Sequence, residues 1–120
     1  MTRQELRALY DRKTALFASE QALTALIETY RDTGNGEMFE SLIEGMEKGI
    51  QEEYAAIAEL DIRAADTLKS VRDSRARIGA ILHYLGGMPW EIAAAVLRYK
   101  SESALRQIVY RGFREAGIEK

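Results

Sequence analysis

The sequence predicts an all-α protein, a long helical hairpin followed by three short helices. Three observations predict it. The 120-residue chain holds a single proline, Pro89. No run alternates apolar and polar residues with the period of two that marks a half-buried strand. Two long stretches instead place apolar residues at three- and four-residue steps, the spacing of one helix face.

The first helix is predicted from Thr2 to about Arg31, with Leu6, Leu9, Leu16, Leu23, Ile27 and Tyr30 as its apolar stripe. Thr2 and Glu5 have the spacing of a capping box, in which each side chain satisfies a free backbone N–H of the other residue. The pattern ends at Asp32-Thr33-Gly34-Asn35-Gly36, a turn-forming cluster. The second helix starts near Glu37. Phe39, Ile43, Met46, Ile50, Ile57, Leu60, Ala64 and Val71 follow the four-three step of a heptad seam, with Tyr54 and Leu68 one position off it. Gly45 and Gly49 lie within it. Each costs about 1 kcal/mol against alanine, so close helix packing is expected there. Two long stripes joined by a short link make an antiparallel, coiled-coil-like hairpin. Two helices cannot bury a seam on every side. Residues 1–70 are therefore expected to form a homodimer or to dock a partner. The alternative is a monomer whose hairpin packs on its own C-terminal helices.

A junction is expected near 69–74, where basic residues begin and Asp73 or Ser74 can cap a new helix. One unbroken helix over 37–85 is the alternative. The new helix turns Ile78, Ile81, Leu82 and Leu85 inward and stops at Gly86-Gly87. Pro89 suits the first helical position of the next segment. That segment has Trp90, Ala93, Ala94 and Leu97 on its inner face, Trp90 serving as a core anchor. Arg98-Tyr99-Lys100 breaks it. Ser101 caps the last helix, which buries Leu105, Ile108, Val109 and Phe113. Glu102, Ser103, Arg106, Gln107, Tyr110, Arg111 and Arg114 remain outside, and Ser103, Arg106, Gln107 and Tyr110 can share one direction. Two short helices with a polar break and a basic outer face have the organisation of a helix-turn-helix, so residues 71–120 are read as such a domain.

The net charge of −2 hides an asymmetry. Residues 1–66 hold 7 Lys/Arg against 14 Asp/Glu, whereas residues 67–120 hold 10 against 5. A basic second half suits a polyanion. Arg and Gln on the last helix can make bidentate contacts to base edges, while Arg and Lys hold phosphates. The DNA-binding residues expected are Arg98, Lys100, Ser101, Glu102, Ser103, Arg106, Gln107, Tyr110, Arg111 and Arg114, with Arg75 and Arg77 as flanking clamps.

Other chemistries have little to rest on. Cysteine is absent, which excludes disulfides, thiolate metal sites and cysteine nucleophiles. His83 is the single histidine and is expected as a favourable cation near a helix C-terminus. The acidic runs at Glu37, Glu40, Glu44 and Glu47 and at Glu52-Glu53 read as solvated helix surface. No metal, cofactor or catalytic residue is expected, and neither glycine pair has the spacing of a phosphate loop. The charged start is unlike a signal peptide, and no apolar run approaches the ~18 residues of a membrane span. A cytoplasmic protein with no membrane partner is expected.

The stretch HYLGGMPWEIAAAVLRYKSESALRQI resembles the helix-turn-helix of sigma-factor region four, and most closely the phage and prophage regulators related to it, the RinA/ArpU-type late transcription activators. Tyr84, Gly87, Trp90, Leu97, Ser101 and Leu105 fit their outline over about residues 71–116. The segment before Ser101 is longer than in that outline, so a differently shaped turn is expected. The resemblance implies a sequence-specific transcription regulator whose recognition helix, about 101–116, enters the major groove of double-stranded DNA, with RNA polymerase as a further partner. Two rivals stand beside it. One is a small terminase-like DNA-packaging recogniser. The other is a protein-interaction module that binds no DNA.

Overall fold

The structure is a computed structural model that describes residues 1–33 and 36–120. Its class is all-α, as the sequence predicts. Arg3–Thr33 forms α1 and Gly36–Leu68 forms α2. Both halves of the capping box at α1 are made. The Thr2 amide donates to Glu5 Oε1 at 3.0 Å, and the Glu5 amide donates to Thr2 Oγ1 at 3.1 Å. The Thr2 amide holds the Glu5 carboxyl below its ordinary pKa. Of the expected turn between the helices, Gly34 and Asn35 lie outside the described residues.

The helices pack antiparallel, with Arg12 bonded to Glu53 and the Tyr54 hydroxyl donating to Glu20 Oε1 at 2.6 Å. Burial is uneven along them. Leu6, Leu9 and Leu16 of α1 and Ile57, Ala64 and Leu68 of α2 are buried. Leu68, expected off the seam, thus lies on it at this end. Among the described residues between Leu16 and Ile57, none is buried; Leu23, Ile27, Tyr30, Ile43, Met46 and Ile50 are half-covered at best. The distal half of the hairpin is therefore an arm of two helices. Gly45 and Gly49 sit on it exposed, and a Cβ at either would meet nothing within 4 Å. The close packing expected there is absent within the chain, because no third helix approaches.

Helix α2 ends at Leu68, so 37–85 is not one helix. Asp73 starts α3 (Ser74–Ala80), its carboxylate accepting from the Arg75 and Ala76 amides at 2.9 and 3.3 Å. The Arg75 side chain and these amides hold the Asp73 carboxyl below its ordinary pKa. Helix α3 runs directly into a π-helical turn, Ile81–Leu85, closed by the Gly86 amide on Ile81 O at 2.9 Å. The wide turn explains the glycine pair. A Cβ on Gly86 would stand 2.6 Å from Leu82 O, and Gly87 has φ 69°. Helix α4 follows (Trp90–Val96), with Pro89 one place earlier than expected, at the cap. Helix α5 is Glu102–Glu115.

The inward stripe of α3 is rotated from the expected one. Ile78 and Ile81 are exposed, while Ala76, Gly79, Ala80, His83 and Tyr84 are buried. Small residues win the inner positions because α5 lies against them. A Cβ on Gly112 would be 2.5 Å from Ala76 Cβ, and one on Gly79 would be 2.8 Å from Leu105 Cδ1. One apolar cluster joins the base of the hairpin to α3, α4 and α5, through Leu68, Val71, Tyr84 and Phe113. The boundary at 70/71 therefore separates elements and not cores. With the arm projecting, the molecule measures 57 × 29 × 18 Å and its radius of gyration is 18.1 Å. A compact chain of this length would have about 14 Å.

Candidate nucleic-acid interface

The surface built around α5 begins with its cap. Ser101 has extended backbone, and its Oγ accepts from the Ala104 amide at 3.2 Å. The hydroxyl is thus committed to the helix. The turn before it is unusual, because Arg98 adopts φ 62°. That left-handed conformation costs a non-glycine residue on the order of 1 kcal/mol. It reverses the chain after α4 and leaves Arg98 and Lys100 exposed beside the start of α5.

Leu105, Val109, Gly112 and Phe113 face the core. The opposite side presents Ser103, Gln107, Arg111 and Arg114, all exposed and at the spacing of one helix face. Arg111 and Arg114 have no ion-pair partner among the described residues. The sequence groups Arg106 and Tyr110 with Ser103 and Gln107, but the fold turns them to the flank of this stripe. Arg106 pairs with Glu102 at 3.2 Å, and all three side chains are half-buried. The reason is the start of α1, which lies against that flank and places Arg3 Cζ 4.1 Å from the Tyr110 ring centroid. The expected clamps are also engaged: Arg75 pairs with Asp73, and Arg77 donates to Val71 O at 3.0 Å.

A cleft of about 610 Å³ opens between the start of α1, the π turn and α5. Its wall is an aromatic stack. The His83 ring lies between Tyr10 and Trp90, with centroids 4.1 and 3.8 Å away. His83 is 4 % exposed and its Nδ1–H donates to Met88 O at 2.7 Å. Burial pushes its pKa down to about 4. It is therefore a neutral core ring and not the helix-terminal cation that its position suggests. Trp90 anchors the short helices and stacks on His83, whose other face meets Tyr10 of the hairpin. Burial raises the pKa of the neighbouring Tyr84 hydroxyl, which keeps it protonated.

Lys13 fills the role expected of His83. Its ammonium donates to Tyr84 O and Leu85 O at 2.9 and 2.7 Å and faces Asp61 Oδ1 at 2.6 Å. It satisfies carbonyls left open at the end of the π turn and ties both hairpin helices to it. Arg3, Arg7 and Lys13 were not anticipated as contributors to this region. A finer reading of charge could have found them, since Arg3, Arg7, Arg12 and Lys13 form a basic cluster at the start of an otherwise acidic half.

No group of three or more metal-ligating side chains occurs among the described residues. No helix among them is long and apolar enough to cross a membrane. Comparison with family models, with curated proteins and with solved structures finds no match to this chain.

Proposed function

We propose that the protein is a sequence-specific DNA-binding transcription regulator of phage or prophage type that inserts α5 into the major groove. The observation that carries this reading is the solvent-facing stripe Ser103, Gln107, Arg111 and Arg114 on a capped helix held firmly against α3. Gln107 and the arginines have the donors and acceptors that read base edges. Arg98 and Lys100, exposed beside the start of α5, would meet the phosphates that flank the groove. The likeness of residues 71–116 to sigma region four supports the same assignment. The projecting arm suits homodimerisation, which predicts an inverted-repeat site, and RNA polymerase is the further partner of such a regulator.

The test is fluorescence anisotropy on random-sequence duplex DNA at about 50 and 200 mM salt, a range over which several phosphate contacts cost orders of magnitude in affinity. The wild type binds at the lower salt, and an Arg111→Ala/Arg114→Ala variant loses most of that binding. No salt-sensitive binding to any duplex would overturn the reading. A terminase-like packaging recogniser would use the same surface but assemble as a ring of many subunits, which light scattering distinguishes from a dimer.

A further inference from the structure

We infer that the first two turns of α1 belong to the DNA-binding surface, with Arg3 and Arg7 contacting backbone phosphates along the flank of α5. The inference rests on the reading of α5 as the groove-entering helix and extends the footprint into a part of the chain otherwise assigned to dimerisation.

Three features point there. Arg3 lies over the Tyr110 ring at 4.1 Å, and Tyr110 borders the stripe of Ser103, Gln107 and Arg114. A guanidinium resting on an aromatic face keeps its in-plane N–H groups free for a phosphate. Second, the backbone here is anchored: the Arg3 amide donates to Glu119 O at 2.6 Å, which ties α1 to the segment following α5. Third, Arg7 stands one turn further along α1, is exposed, and has no ion-pair partner among the described residues. With Arg106 and Lys120 it lines the cleft beside α5.

The geometry suits a duplex. A helix about 10–12 Å across fills the major groove, so cations beside it meet the two phosphate walls. Arg98 and Lys100 serve at the start of α5, and Arg3 and Arg7 serve its Tyr110 flank. Three carboxylates also line the cleft, those of Asp11, Glu91 and Glu102. Glu102 is neutralised by Arg106 at 3.2 Å. Asp11 and Glu91 remain and oppose deep entry of a polyanion, so the contact is made at the cationic rim.

The test compares salt slopes of binding to the same random-sequence duplex. Each phosphate contact contributes about 0.9 to the slope of log K against log salt. Arg7→Gln, which removes an exposed side chain without an ion-pair partner, is expected to lower the slope by about 1. Arg3→Gln/Arg7→Gln should lower it by about 2. Lys48→Gln, a charge change out on the arm, should leave it unchanged. A wild-type slope in both arginine variants would overturn the footprint while leaving the α5 reading intact. An equal fall in Lys48→Gln would also overturn it, by showing a general charge effect. Wild type that binds no duplex would overturn both.

Discussion

At the scale of single residues, His83 and Lys13 join the hairpin to the short helices, one as a neutral ring and the other through its ammonium. His83 is neutral because burial between Tyr10 and Trp90 penalises its cation, and its pKa falls from 6.5 to about 4. The hydrogen bond to Met88 O and the charge of Asp11 raise that value, and Arg106 lowers it. The unfolded chain therefore takes up this proton near pH 6.5, whereas the folded chain resists until about 4. Between those values the unfolded state binds more protons, so stability falls as pH falls. The expected loss is about 1 kcal/mol by pH 5.5 and at most about 3 kcal/mol near pH 4. The stacked aromatic faces offset part of it. Urea midpoints at pH 7.5 and 5.5 should differ in the wild type and differ less in His83→Phe; an equal difference in the two would show that other groups carry the effect. Lys13 is 14 % exposed in its side chain and holds two carbonyls and a carboxylate. Lys13→Met should cost about 1–3 kcal/mol, because it leaves two carbonyl acceptors open while the half-exposed Asp61 turns to water; thermal unfolding measures it, and a cost under about 0.5 kcal/mol, the range of ordinary surface changes, would show that water replaces the ammonium. Neither role was legible in the sequence. The contacts of Lys13 span 71 and 72 positions to Tyr84 and Leu85, and no local pattern reports a partner so remote.

At the scale of elements, glycine separates what the sequence shows from what packing decides. The glycines of α2 look like contact points, and those of α3 and α5 attract no notice, yet the structure reverses the two. Gly112→Ala would press a Cβ to 2.5 Å from Ala76 Cβ and 3.2 Å from Val71 Cγ1. Its cost should be about 1–3 kcal/mol, the usual range for overpacking. Gly79→Ala should cost less, because the side-chain end of Leu105 can move. Gly45→Ala and Gly49→Ala meet open space and should each stabilise the dilute monomer by about 0.5–1 kcal/mol through helix propensity. Urea denaturation of the four variants tests this order, and a destabilised Gly45→Ala in dilute solution would contradict it. Local signals were readable for a related reason. Thr2 with Glu5, Asp73 and Ser101 act within three residues of themselves, and each cap forms at a position the sequence offers, with Asp73 taken over Ser74. The inward face of α3 differs from the expected one because periodicity follows the large residues, and there the small ones decide. The π turn and the left-handed Arg98 also carry no periodic signature.

At the scale of the whole molecule, the roles proposed for the arm and for α5 predict opposite responses to salt. Residues 14–54 carry nine carboxylates and two cations, counting Glu20, Glu28, Asp32, Glu37, Glu40, Glu44, Glu47, Glu52 and Glu53 against Arg31 and Lys48. The same arm leaves Phe17 62 % and Leu42 57 % exposed. A second copy would cover that apolar surface while bringing two acidic faces together. The apolar contribution changes little over moderate salt, whereas repulsion between exposed charges fades as the screening length shortens from about 10 Å at 0.1 M to about 3 Å at 1 M. Self-association through the arm should therefore strengthen as salt rises, whereas the proposed DNA binding should weaken through lost counterion release. Sedimentation equilibrium from 50 to 500 mM salt should show a growing dimer fraction. Phe17→Asp/Leu42→Asp should remain monomeric throughout, with its affinity for a single half-site unchanged. A dimer that dissociates as salt rises would place the contact on opposite charges instead, and a variant that still dimerises would move it off the arm.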